Sequence, residues 1–206
     1  IVGLSMGGYT TVVMGFMHPR RALSLTAAGV GSGSERAHTA DFRKACIVLA
    51  DEFKTKGSAE VVKAYGLSPA RIPFLVKDQR GFEEFNKMFS EHDGVGSGNT
   101  MRGFQAERPS VYDFEADIRK IEVPALIVVG DEDEPCLEPA LFMKRRIHSS
   151  GLVVVPPVEQ STYVDSAGFA SGRIGWQRLD DIGGRETVHA LQSRGVGFMS
   201  LQDNID

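Results

Sequence analysis

The chain has 206 residues, 42% of them apolar, and 23 lysines and arginines against 27 aspartates and glutamates leave it with a formal charge of −4. That length and apolar share suit one ordinary soluble domain or two small pieces, and the mildly acidic balance offers no basic excess for a nucleic-acid backbone. No apolar run is long enough to span a bilayer.

The opening stretch, "IVGLSMGGYTTVVMGFMHP", carries Gly3-Leu4-Ser5-Met6-Gly7. A G-x-S-x-G pattern describes a sharp turn from a strand into a helix, with small residues at Gly3 and Gly7 relieving the crowding around a strained Ser5. Only Ile1 and Val2 remain of the strand that should launch the turn. The chain therefore reads as a fragment whose amino-terminal half is absent. Apolar residues at helical spacing over residues 8–17 predict a helix that His18-Pro19 ends, because proline removes a donor and biases its predecessor to extended geometry.

Residues 23–30, "LSLTAAGV", predict a buried strand running into a Gly/Ser loop. From 35 to about 118, charged and apolar residues alternate in helical fashion, with breaks expected at Gly66-Leu67-Ser68-Pro69 and at "HDGVGSGNT". A helical insert there, between strands, is where a cap over a pocket would sit. In "VPALIVVGDEDEPC" the unbroken apolar run 125–129 suits a strand buried on both faces of a parallel sheet. "EPALFMKRRI" predicts a helix and "GLVVVP" a last short strand, so the order is that of an α/β fold. Beyond Pro157 periodicity weakens: residues 158–177 read as an irregular junction and 178–206 as a helix and a short strand.

Chemistry concentrates at two places. A serine on a strand-to-helix turn needs a base for its proton and an acid to orient that base, both at the carboxyl edge of the sheet. Asp133 follows the strand-ending Gly130 by three residues, where such an acid is expected; Asp131 and Glu132 compete with it, and a solvated acidic turn remains open for all three. Cys46 and Cys136 are far apart with no metal-like spacing, which predicts free thiols in a reducing, cytoplasmic compartment. No cofactor or metal is implied, since three consecutive carboxylates without further ligands are more often solvated than metal-bound.

The elbow, the acidic turn and "GLVVVP" together resemble the α/β-hydrolase fold family with a helical cap, over residues 1 to about 157. The resemblance implies a partial parallel sheet, a cap at about 35–118, and a serine hydrolase of small ester-like molecules. It implies Ser5 as nucleophile, Asp133 as triad acid and the Met6 N–H as half of the oxyanion hole. It also implies a histidine after the last strand, in a Pro-x-x-Gly-His stretch. Here that position holds Gln160, within Pro157-Val158-Glu159-Gln160, and an amide cannot act as a general base near neutral pH. The upstream oxyanion donor is likewise expected to be missing, so impaired or no turnover is the expectation.

Five histidines are candidates to substitute: His18, His38, His92, His148 and His189. His18 reads as a helix-end residue, His38 and His92 as cap residues, and His148 as lying at the wrong end of the sheet. His189 belongs to "ETVHALQSRGVGFMSLQDNID", which is similar to the catalytic domain of resolvase/invertase serine recombinases. That family's phosphate-steadying arginines are replaced by Asp181 and Gly184, so the tail reads as a remnant and DNA is not an expected partner. An open sheet edge beside the elbow predicts self-association instead.

Overall fold

A computed structural model of the chain describes residues 1–68 and 71–155. The junction, the resolvase-like stretch at 178–206, His189 and Gln160 lie outside the described residues. Four parallel strands form one sheet in chain order: β1 (Val2–Leu4), β2 (Leu25–Ala28), β3 (Ala125–Gly130) and β4 (Ser150–Val155). Helix α1 (Met6–Met17) connects β1 to β2 and helix α8 (Glu134–Arg146) connects β3 to β4. Between β2 and β3 lie α2 (Thr39–Lys56), α3 (Ser58–Tyr65), α4 (Ile72–Lys77), α5 (Gln79–Ser90), α6 (Gly94–Thr100) and α7 (Glu115–Ile118). This is an α/β fold in which a parallel sheet carries a long helical insert.

The period-two alternation of the strands sorts their side chains onto two faces. Leu25, Ala27, Ala125, Ile127 and Val129 face α1 and α8, where they meet Tyr9, Val12, Ala140 and Met143 in one core. Ala28, Leu126, Val128 and Val153 turn to the other face, with Leu4 and Val155 packed against them. Burial of β3 on both faces is what its unbroken apolar run requires. The strand expected over 23–30 is shorter: pairing starts at Leu25, whose N–H donates to the Pro124 carbonyl, and Leu23 is 84% exposed.

The insert has an aromatic core of its own. Phe82, Phe85 and Phe89 recur at helical spacing on α5; Phe82 and Phe85 meet Phe74 of α4, and Phe89 stacks on Tyr65 of α3 with ring centres 5.1 Å apart. Its entry and exit are fastened together. Arg108 donates to the Ser32 carbonyl at 2.7 Å, and the Ser110 hydroxyl to the Ser34 carbonyl at 2.6 Å. The Tyr9 hydroxyl donates to the Pro109 carbonyl, tying this seam to α1.

One expected break is a helix. "HDGVGSGNT" breaks only at His92-Asp93, and Gly94–Thr100 is α6, capped by the Asp93 carboxylate, which accepts from the Gly96 N–H. Its glycines serve close approach to α2. A Cβ on Gly94 would stand 2.6 Å from the Phe53 carbonyl oxygen, and one on Gly98 2.7 Å from that of Ala50. The other break stands, with α3 ending at Tyr65 and α4 starting at Ile72.

Candidate active site

Ser5 sits between β1 and α1 at φ 51°, ψ −112°, and is the one non-glycine residue with positive φ among the described residues. Holding a residue with a Cβ there costs about 1–3 kcal/mol, so the surrounding structure must impose it. It does so from both sides. The Ser5 N–H donates to the Ala28 carbonyl of β2 at 2.8 Å, and its own carbonyl accepts from Tyr9 at 2.9 Å. The turn can close because Gly3 packs directly under the first turn of α1, where an added Cβ would overlap the Gly7 carbonyl and Thr11 Oγ1. Gly8 is crowded as well, 2.6 Å from Val30 Cγ2 by the same construction. Gly7 is not: a Cβ there would meet nothing within 4 Å. The crowding expected at both Gly3 and Gly7 therefore falls on Gly3 and Gly8.

The result is an exposed Ser5 at the carboxyl edge of the sheet, with its side chain making no capping bond to α1. The Met6 N–H opens the first turn of α1, where no carbonyl four residues back in the helix can receive it and the positive end of the helix dipole lies. Such a donor is available to an anion developing at Ser5.

Asp133 reaches the same edge from β3. Its N–H donates to the Gly130 carbonyl at 3.1 Å, closing the turn, and its carboxylate does not cap α8. Gly29, at the end of β2, lies between the two loops: a Cβ built on it would be 3.5 Å from Asp133 Oδ2 and 3.8 Å from Leu4 Cδ1. Asp131 and Glu132 are exposed, whereas Asp133 is half-buried, and burial pushes its carboxyl above the usual aspartate range. A thiol hydrogen bond from Cys136 and the charge of Arg71 oppose that rise. The insert also reaches the acidic turn through Lys77 of α4, which pairs with Glu132 at 2.9 Å.

The described histidines stay away from this edge or in the insert. His18 ends α1, about 20 Å along the helix from Ser5 by its rise per residue. His148 precedes β4 at the amino end of the sheet. His92 lies against Phe89 in the insert, and exposed His38 starts α2. A groove of about 320 Å³ is lined by Glu35, Arg36, Tyr112, Glu115 and Phe142, and a void of about 10 Å³ lies beside Arg108. Neither reaches Ser5 or Asp133. Among the described residues no group of three His, Cys, Asp or Glu could hold a metal, and no helix is long and apolar enough to cross a membrane.

Cys136 and Arg71 were not legible as neighbours of the site. The three-residue spacing from Asp133 to Cys136, which puts both on the first turn of one helix, was the available signal for the thiol.

The strand-turn-helix elbow, the parallel sheet and the long insert before β3 define the α/β-hydrolase fold. Solved structures agree. The chain superposes on MenH from S. aureus with a TM-score of 0.70 at 19% identity, covering 87% of this chain and 67% of that one. A thermophilic esterase from Thermogutta terrifontis gives 0.65 at 21% identity, over 92% of this chain and 64% of the esterase. The enol-lactonase from Burkholderia xenovorans LB400 gives 0.62 at 17%, over 93% and 64%. The chain thus spans about two thirds of the length of these proteins. No family model matches the sequence, and no curated protein does. The resolvase-like reading of the tail finds no support in these comparisons.

Proposed function

We propose that the chain carries the serine site of a hydrolase acting on small ester-like or lactone-like molecules. Ser5 is its nucleophile, Asp133 its acid and the Met6 N–H its oxyanion donor. The observation that carries this reading is the backbone of Ser5, held at φ 51° in a turn sealed by the Gly3–Gly7 contact. The half-buried Asp133 at the end of the next strand but one supports it, and so does the likeness to an esterase and an enol-lactonase.

In this reaction the Ser5 Oγ–carbonyl bond forms as the hydroxyl proton passes to a base. The tetrahedral oxyanion is held by the Met6 N–H, and the ester C–O bond breaks as the alcohol takes up that proton. Water then releases the acid by the same steps. The base is the element that the described residues do not supply in this reading. Gln160 holds the position that the resemblance assigns to it, so acylation of the 206-residue chain is slow and sustained turnover slight. Buried thiols fit a reducing, cytoplasmic setting. The division that goes with this reading is a hydrolase domain at 1–157 with its cap at 35–118, a junction at 158–177 and a tail at 178–206.

The test is p-nitrophenyl acetate hydrolysis by the chain and by Ser5→Ala. A small release of nitrophenol that disappears in Ser5→Ala supports the reading; equal release from both chains removes Ser5 from it. A second reading is a non-catalytic chain that self-associates through β1. It is favoured by the position of β1 at the sheet edge among the described residues, with Val2 64% exposed. Sedimentation that shifts with concentration, in a chain without Ser5-dependent release, would favour it.

A further inference from the structure

Arg108 ties the end of the insert to the loop after β2, and two rings crowd its guanidinium. The Tyr9 ring centre lies 4.8 Å from the guanidinium carbon and the Phe42 ring centre 5.6 Å. One N–H donates to the Ser32 carbonyl at 2.7 Å, and among the described residues the other N–H groups have no acceptor. A cation partly withdrawn from water keeps its demand for acceptors, because leaving a charged donor unpaired there costs more than leaving a neutral one.

Arg108 lines the void of about 10 Å³ together with Ser34, Thr39 and Gln105, and no carboxylate lines it. Gln105 ends a single π turn, Met101–Gln105, in which the Ala106 N–H reaches back to the Met101 carbonyl at 3.0 Å. Its Oε1 is enclosed and has no donor among the described residues. The walls cannot close in, since loop and ring already touch: a Cβ on Gly33, φ +77°, would overlap the Phe42 ring. One small space is thus bounded by a cation short of acceptors and by an amide short of a donor.

We propose that this void is a water site, in which one ordered water accepts an N–H of Arg108 and donates to Gln105 Oε1. The occupant follows from what the walls need. It must accept on one side and donate on the other, and water does both. A halide or a carboxylate only accepts, which leaves Gln105 orphaned; an ammonium ion only donates and meets the charges of Arg108 and Arg43. The space is also that of about one water. Thr39 offers a third partner, because its hydroxyl hydrogen goes to the Glu35 carbonyl at 2.9 Å and leaves its lone pairs free. The seam that holds the insert on the sheet is therefore closed by water as well as by the Ser110 and Tyr9 bonds. The site stands whether or not Ser5 reacts.

The experiment is a crystal structure of the unsubstituted chain at a resolution that places waters, paired with melting of Gln105→Met. A water within hydrogen-bonding distance of both Arg108 and Gln105 is expected; an anion in its place, or no water bridging the two, overturns the proposal. Methionine keeps much of the volume of glutamine without its carbonyl. With a bridging water the variant loses one net hydrogen bond and melts about 2–4 °C lower. With an orphaned carbonyl it sheds a burial penalty instead, so an unchanged or raised midpoint overturns the proposal. Loosened packing around methionine would also lower the midpoint, so oxygen-17 relaxation of the solvent is compared in the two chains. The contribution of long-lived waters is expected to fall by one water in Gln105→Met; an equal contribution overturns the proposal.

Discussion

Replacing Gly3 and Gly7 one at a time by alanine should move stability in opposite directions, although the G-x-S-x-G pattern treats the two alike. A methyl on Gly3 overlaps the Gly7 carbonyl and Thr11 Oγ1, and the first of these is backbone in the turn that holds Ser5. Neither partner can rotate away without opening the turn, and Thr11 is tied by its own bond to the Gly7 carbonyl at 2.9 Å. Overpacking of a well-packed site costs typically 1–3 kcal/mol, and a backbone obstacle places Gly3→Ala near the top, about 3 kcal/mol. Gly7 lies inside α1 with open space around it. There alanine lowers the entropy of the unfolded chain without a clash, a gain of about 0.5–1 kcal/mol. For a chain of this length 1 kcal/mol moves the melting midpoint by about 2–4 °C. Gly3→Ala should therefore melt about 6–12 °C below the unsubstituted chain, and Gly7→Ala about 1–4 °C above it. Urea titration and thermal melting followed by circular dichroism measure both. If Gly7→Ala is as destabilised as Gly3→Ala, the packing of the elbow described here is wrong.

Two further outcomes follow from buried titratable groups. Burial raises Asp133, so between the ordinary aspartate range and its raised value the folded chain binds more protons than the unfolded chain, and stability falls as pH rises through that window. Asp133→Asn removes this loss; it should be more stable than the parent at neutral pH, with the difference closing as pH drops below the ordinary range, and denaturation over a pH series would show it. Burial also pushes the Cys46 and Cys136 thiols up, with the Asp133 charge adding to the effect at Cys136. Both should resist a disulfide reagent near pH 8 in the folded chain and react together on unfolding; fast reaction at either would contradict its burial.

Much of the sheet could be read from residue type because its strands are buried in ways that leave a mark. The run at 125–129 is apolar without interruption since β3 is covered on both faces, and α1 stops where Pro19 removes a donor. Glycine was the main source of error. At Gly94 and Gly98 it allows one helix to approach another, which no local pattern separates from a chain break. In the elbow, only coordinates show that Gly8 carries the constraint that sequence assigns to Gly7. The placement of Ser5 and Asp133 at the sheet edge was legible, because a turn after a strand carries its residues there. The thiol near Asp133 left only its three-residue spacing as a signal, which does not say what a cysteine faces.

The most direct test of the account is labelling by a fluorophosphonate probe with and without added imidazole, in the chain and in Ser5→Ala, with the modified peptide located by mass spectrometry. Exposed Ser5 leaves room for imidazole to serve as the base that Gln160 cannot be. The account predicts slow labelling confined to Ser5, accelerated by imidazole and absent from Ser5→Ala. Labelling elsewhere, or none at Ser5 even with imidazole, would contradict Ser5 as the nucleophile, and fast labelling without imidazole would contradict the missing base.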